Sequence, residues 1–214
     1  MNIAMIGGTG FIGAPVLSEL LSRGHRVTVL ARKPLTVSPR DGLTVVAADA
    51  REAGQVAQAV AGHDAVISAF NPGWGQPRLY DLILQGNQAI VDGVKASGVK
   101  RLLIVGCAGC LYVAPGVQLI DTPDFPAELK QGGLAARIVL NRIRLETTLD
   151  WSFLSPPLEL TAGPRTGHYR LGADNLLPGQ DGQLAAISLS DLAVAVVDEI
   201  EQPRHARRRF SVAH

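Results

Sequence analysis

Seven residues near the start, Gly7-Gly8-Thr9-Gly10-Phe11-Ile12-Gly13, constrain this chain more than any other stretch. Glycines at 7, 10 and 13 give a G-x-x-G-x-x-G spacing. The run lies between apolar Asn2 to Ile6 and an amphipathic stretch from Phe11 to Arg23. A short apolar run stopped by glycine reads as a buried strand. Apolar residues at 12, 16, 17, 20 and 21 read as one face of a helix that Gly24 ends. In a strand-to-helix turn, small residues let the backbone approach a pyrophosphate, whose charge the helix N-terminus stabilises. The last glycine lets the helix pack closely on the strand. A tight turn with a purely structural role is the competing reading. The context of strand, helix and a second strand from Arg26 favours a dinucleotide site.

The same alternation continues along the chain. Strands are expected at Arg26 to Ala31, Leu43 to Ala47, Ala65 to Ala69, Arg101 to Val105, Trp151 to Ser155 and Arg208 to Val212. Helices are expected at Glu52 to Val60, Leu79 to Ser97, Gly133 to Leu149 and Asp191 to Ile200. This rhythm implies an α/β fold, a Rossmann-like doubly wound parallel sheet with helices on both faces. The length fits one NAD(P)-binding domain over 1–214. Segments 71–78, 106–130 and 156–180 interrupt the rhythm, and long loops after strand ends are expected to build the substrate pocket.

Charge and composition exclude other classes. Twenty basic and 19 acidic residues leave a formal charge of +1, so there is no surplus to release counterions from nucleic acid. Mean hydropathy is +0.18, yet apolar runs such as Leu192 to Val197 fall far short of the ~20 residues needed to span a bilayer. MNIAMIGGTG has no basic n-region and meets glycine too early for a signal sequence. Two cysteines make no disulfide scaffold. A cytoplasmic protein without nucleic-acid or membrane partners is expected; oligomeric state is left open.

Cofactor choice is read at the end of the second strand. An NAD site places Asp or Glu there for the ribose 2′-hydroxyl. This chain has no carboxylate between Glu19 and Asp41, and reads Ala31-Arg32-Lys33 instead. Arginine suits a 2′-phosphate through charge-assisted hydrogen bonds, so NADPH is expected over NADH. A solvated basic turn is the bland alternative. Asp49 closes the third strand, where it suits either an adenine amino group or a helix N-cap.

GGTGFIG, VTVLARKP, VAADA and AGHDAVISAF together resemble atypical short-chain dehydrogenases/reductases. The likeness is greatest to NAD(P)H-binding proteins described as NADH-flavin reductases and to biliverdin-IXβ/flavin reductase. VKRLLIVGCAG, SPPLELTAGPRTGHYRLG and ISLSDLAVAVVDEIEQPRH extend it over nearly the whole chain. By matched position, the resemblance implies that Gly7, Thr9, Gly10, Phe11, Ile12 and Arg32 contact the cofactor phosphates and ribose. It places Asp49 and Ala50 beside adenine, and Ser68, Ala69 and Phe70 along the ribose and nicotinamide. Cys107 and Pro156 would lie nearer the ring.

One family feature is missing. Short-chain reductases carry a Tyr-x-x-x-Lys helix whose tyrosine protonates a carbonyl oxygen. Tyr80, Tyr112 and Tyr169 are the three tyrosines, none has Lys four residues on, and Lys130 lacks a tyrosine partner. Cys107 takes the usual serine position. Flavin reduction suffers less, because the protein mainly has to stack and orient two rings. An apolar pocket near Phe70, Trp74 and Leu158 would serve, although each also suits ordinary packing.

The expected function is NAD(P)H-dependent reduction of a flavin, quinone-like or similar planar small molecule. A non-catalytic NADP-sensing regulator is the alternative. Cys107-Ala108-Gly109-Cys110 is formally a C-x-x-C, but Leu-Tyr-Val-Ala-Pro-Gly after it starts no convincing helix, so a redox role is not expected. Two thiols without clustered histidine do not make a zinc site, and no metal is expected. The five histidines read mostly as surface residues, and Arg207 to Arg209 as a solvated strand edge.

Overall fold

The computed structural model describes residues 1–34, 38–179 and 184–214. The N-terminal half runs β1 (Asn2–Ile6), α1 (Gly13–Ser22), β2 (Arg26–Ala31), β3 (Leu43–Ala47), α2 (Ala53–Val60), β4 (Ala65–Ser68) and α3 (Leu79–Ser97). Then come β5 (Arg101–Val105), β6 (Tyr112–Ala114), β7 (Val117–Gln118), α4 (Lys130–Ile143) and β8 (Asp150–Ser155). The C-terminal part holds β9 (Glu159–Thr161), β10 (Arg170–Gly172), β11 (Ala186–Ser188), α5 (Leu189–Glu201) and β12 (Arg208–Ala213).

Eight strands form one sheet in the order β10-β12-β8-β5-β4-β1-β2-β3. All neighbours are parallel except β10, which runs antiparallel to β12. Successive side chains of a strand face opposite sides. Ile3 and Met5 therefore join Val16, Leu20, Leu192 and Val196 under α1 and α5. Ala4 and Ile6 join Val56, Ile90, Val94 and Val139 under α2, α3 and α4. Burial on both faces requires near-continuous apolar strands, and that is why β1, β4 and β5 were readable as short apolar runs. Among the described residues, no helix is long and apolar enough to cross a membrane.

Helix α4 begins at Lys130 and ends at Ile143, not at Gly133 and Leu149 as the pattern suggested. Past Ile143 the carboxylate of Glu146 accepts both the N–H and the hydroxyl of Thr148, each at 2.6 Å. That local side-chain bonding competes with the helical ladder. Helix α5 starts two residues early, capped by Ser188, whose Oγ accepts the N–H of Asp191 at 3.0 Å.

The basic run Arg207 to Arg209 is solvated only at Arg207 and Arg208, and its strand is not an edge. Strand β12 lies between β10 and β8, and Arg209 is buried. Its guanidinium pairs with Asp174, donates to the carbonyl of Cys110 and lies 5.7 Å from the centre of the Tyr112 ring. A buried cation persists only when such partners offset its lost hydration. Two histidines also leave the surface. His25 is buried between the Met1 amine and Glu201, and His205 stacks on Phe210 at 4.4 Å while its Nδ1 contacts Glu199.

Candidate functional site

The strand order reverses between β1 and β4, so the loops leaving their carboxyl ends diverge and open a crevice. The glycine turn sits at this point. Gly7 has φ +80°, and a Cβ there would lie 2.3 Å from the Ala69 carbonyl oxygen. A Cβ on Gly13 would lie 1.9 Å from the Gly7 carbonyl oxygen. Both positions therefore need glycine for the fold itself. Gly10 differs: its Cβ would meet one atom within 4 Å, the Gly7 oxygen at 3.3 Å. That single tight contact crowds Gly10 far less than Gly7 or Gly13 is crowded, as a turn with one face open to a ligand would.

Helix α1 starts behind this turn with no side-chain cap and no acidic residue in its first turn. Its N–H groups and dipole favour an anion. Phe11 is 67% exposed, and Thr9 and Gly10 are exposed beside it. This donor set fits the pyrophosphate of a dinucleotide.

Two cavities flank the carboxyl edge of the sheet. The first, about 160 Å³, is polar and includes Gly7, Thr9, Arg32, Asp49, Ala50 and Arg51. The second, about 80 Å³, is apolar and includes Trp74, Gly106, Cys107, Gly132 and Phe153. Phe70 and Asn71 line both, which makes them the wall between the two. Phe70 is seated against Gly86 of α3, where a Cβ would lie 2.2 Å from its ring. Trp74 rests on Gly132 of α4 in the same way, at 2.6 Å. Glycines on two helices thus hold the aromatic residues at the crevice.

Six residues expected at the site line the polar cavity: Gly7, Thr9, Arg32, Asp49, Ala50 and Phe70. Cys107 lines the apolar one. Gly10, Phe11 and Ile12 form the entry to α1 and line neither. Ser68 is fully buried, and its Oγ accepts the Phe70 N–H at 3.4 Å, so it supports the turn from beneath. Ala69 approaches Gly7 through its backbone. Pro156 is buried after β8 and lines neither cavity. Leu158 packs instead in a satellite cluster with Leu119, Ile120 and Phe125. No described residue of 156–180 lines these cavities, and residue 180 lies outside the described residues.

Arg51 is the residue that sequence reasoning missed. Its guanidinium grips Asp49 through Nη2 to Oδ2 at 2.6 Å and a forked bond from Nε to Oδ1 at 3.0 Å and Oδ2 at 3.2 Å. The Arg51 hydrogen bonds, with a contribution from Arg32, hold the Asp49 carboxyl below the usual range. Asp49 is not the N-cap of α2, a position that Glu52 occupies. The A-D-A-R order held a signal, since Asp and Arg two apart often pair across a turn. Nothing in it told which side the pair would face.

None of the tyrosines lines either cavity. Tyr112 lies on the β6–β7 hairpin with Asn175 and Leu176. Tyr169 donates its hydroxyl to Asp198 on the far face of the sheet at 2.5 Å, and burial pushes its pKa up. Tyr80 packs against the core under α3. Among the described residues, no cluster of three or more His, Cys, Asp or Glu could hold a metal ion.

A model of the family described as NAD(P)H-binding matches residues 7–203. The chain belongs to this family. It is also similar to YwnB, an uncharacterised protein of Bacillus subtilis (strain 168), with 35% identity over 215 residues, covering 99% of this chain and 98% of that one. Among the solved structures that match the whole chain are two at 30% identity or more. One, from Bacteroides thetaiotaomicron and described as a candidate epimerase, gives a TM-score of 0.92 at 39% identity and is 96% covered. The other, from Streptococcus pneumoniae TIGR4 and described as a candidate NADH-flavin reductase, gives 0.87 at 30% identity and is 99% covered. The membership agrees with the resemblance to atypical short-chain reductases, and supports a nicotinamide cofactor and an oxidoreductase-like protein.

Proposed function

We propose that this chain is an NADPH-dependent reductase of a flavin, quinone-like or similar planar acceptor. The observation that carries the reading is the pair of adjoining cavities, one cationic and one apolar, sharing the wall Phe70 and Asn71. On this reading one NAD(P)-binding domain spans 1–214. The glycine turn and α1 bind the pyrophosphate, and Arg32 with Arg51 holds the 2′-phosphate. Segments 71–78, 106–130 and 156–180 are the loops that would build the acceptor pocket, with Asn71, Trp74, Gly106 and Cys107 lining its apolar cavity. Cytoplasmic residence belongs to the same reading, supported by its need for a soluble nicotinamide cofactor.

The bound cofactor would supply a hydride, and the rest is positioning. Phe70, Trp74 and Cys107 exclude water and hold an acceptor ring at transfer distance. A flavin or quinone can take its proton from solvent, which suits a site without a tyrosine acid. The absence of that acid equally favours a second reading, an NADP sensor that does not turn over. Anaerobic stopped-flow mixing with NADPH and a panel of flavins and quinones separates them. Saturable, acceptor-dependent oxidation supports the reductase. NADPH binding without oxidation by any acceptor refutes it in favour of the sensor.

A further inference from the structure

Cys107 and Cys110 lie where β5 meets the apolar cavity. Cys107 leaves the strand in an extended conformation, φ −143° and ψ 160°, and the chain then turns tightly through the 3₁₀ segment Ala108–Cys110. As expected, Leu111 onward starts no helix, Leu111 being extended and Tyr112–Ala114 forming β6; the tight turn lies between the two cysteines instead. The turn brings the two sulfurs to 3.5 Å. Residues three apart in such a turn have Cα atoms on the order of 6 Å apart, within the span that a disulfide bridges. The sulfurs need to close by only about 1.5 Å to reach bonding distance.

The surroundings divide the labour between the thiols. Cys107 is half-buried and lines the cavity beside Phe70 and Trp74, open to a small molecule. Cys110 is fully buried behind it, 4.0 Å from the Gly133 carbonyl oxygen. Hydrogen bonding from the Cys110 thiol lowers the Cys107 pKa; the N–H groups of Cys110 and Gly109 and the Arg209 charge assist. The Cys107 sulfur and burial push Cys110 up, so it keeps its proton. An accessible thiol of lowered pKa backed by a buried thiol that keeps its proton is the division of roles that C-x-x-C redox centres use.

We propose that Cys107 and Cys110 form a two-electron redox site that a small hydroperoxide oxidises to an intrachain disulfide. The Cys107 thiolate attacks the hydroperoxide, forming an S–O bond and breaking the O–O bond; the alkoxide or hydroxide leaves and takes a proton. Cys107 is then a sulfenic acid. The Cys110 sulfur attacks it, the S–S bond forms, the S–O bond breaks, and the departing hydroxide leaves as water with the Cys110 proton. Two thiols are oxidised, and the peroxide is reduced to an alcohol (or water) and one water. No step uses the nicotinamide cofactor, so the site stands or falls apart from the reductase reading.

The test treats the reduced full-length chain, without cofactor, with one equivalent of hydrogen peroxide, then alkylates and weighs it. The wild-type chain is expected to lose both alkylatable thiols and about 2 Da. Dithiothreitol should restore both, and non-reducing gels should show monomers. Cys110→Ser should stop at a sulfenic acid that dimedone captures. Cys107→Ser should consume peroxide at least roughly tenfold more slowly. Wild-type chains that keep both thiols, form disulfide-linked dimers, or reach a sulfinic acid with Cys110 still alkylatable would overturn the proposal. Equal peroxide consumption by Cys107→Ser would overturn it too.

Discussion

Replacing Arg32 by alanine removes a cation from the mouth of the polar cavity, where it stands with Arg51 and Asp49. If a 2′-phosphate binds here, each charge-assisted hydrogen bond is worth about 1.5–3 kcal/mol. Arg32 is exposed, so solvent and salt screening place it at the low end. A loss of about 1.5 kcal/mol weakens NADPH roughly tenfold, and NADH, which lacks the phosphate, should be nearly unaffected. Arg51 behaves differently because its charge is already offset by Asp49 at 2.6 Å. Arg51→Ala uncovers that carboxylate, which repels a 2′-phosphate and can accept from a ribose hydroxyl. NADPH should weaken and NADH should hold or tighten. Fluorescence titration of both cofactors into wild type and the two variants, at low and high ionic strength, reads every term. Salt should shrink the wild-type preference. Equal wild-type affinities for NADPH and NADH, or an Arg32→Ala variant that weakens both alike, would refute the assignment of the 2′-phosphate to this cavity.

Other outcomes follow from the same geometry. Gly13→Ala forces a Cβ onto the Gly7 carbonyl and should cost about 1–3 kcal/mol in urea unfolding; Gly10→Ala should cost less stability than Gly13→Ala yet weaken NADPH at least roughly tenfold, and an unfolded Gly10→Ala would count against a ligand-shaped turn. Tyr112→Phe should lower the rate of flavin-dependent NADPH oxidation less than tenfold, a barrier change under about 1.4 kcal/mol, measured with both substrates saturating. A thousandfold fall would make Tyr112 a proton donor. Glu146 pairs with Lys95 at 2.7 Å, which ties α3 to the end of α4. Despite desolvation, the bonds from Lys95 and Thr148 bring its pKa down to about 2 from an ordinary 4.5. A depressed carboxylate stabilises the fold fully above its unfolded value and loses that contribution as pH falls through the folded one. Glu146→Gln should therefore lower the urea midpoint at pH 6 and approach wild type as pH drops from about 4.5 towards 2; a difference independent of pH would rule out the ion pair as its source.

Sequence alone determined the layered architecture, because side-chain periods of two and near four decide which faces an element can bury. Leu79–Ser97 and Arg26–Ala31 were legible to the residue, the helix ending at the left-handed Gly98. That Gly7, Thr9 and Arg32 meet at one cavity was legible because the turn and the strand end place them by chain connectivity. Short strands β6, β7, β9 and β11 were not, since two or three residues show no period. Only the tertiary structure decided the fate of individual polar groups. Arg209 reads as a surface charge until Asp174 and the Cys110 carbonyl, distant in the chain, surround it. Asp49 reads as a free acceptor until Arg51 closes on it. The C-x-x-C reads as inert until the turn after β5 brings its sulfurs together at the cavity. Burial and pairing depend on partners that spacing does not name, because they come from elements joined through space and not along the chain.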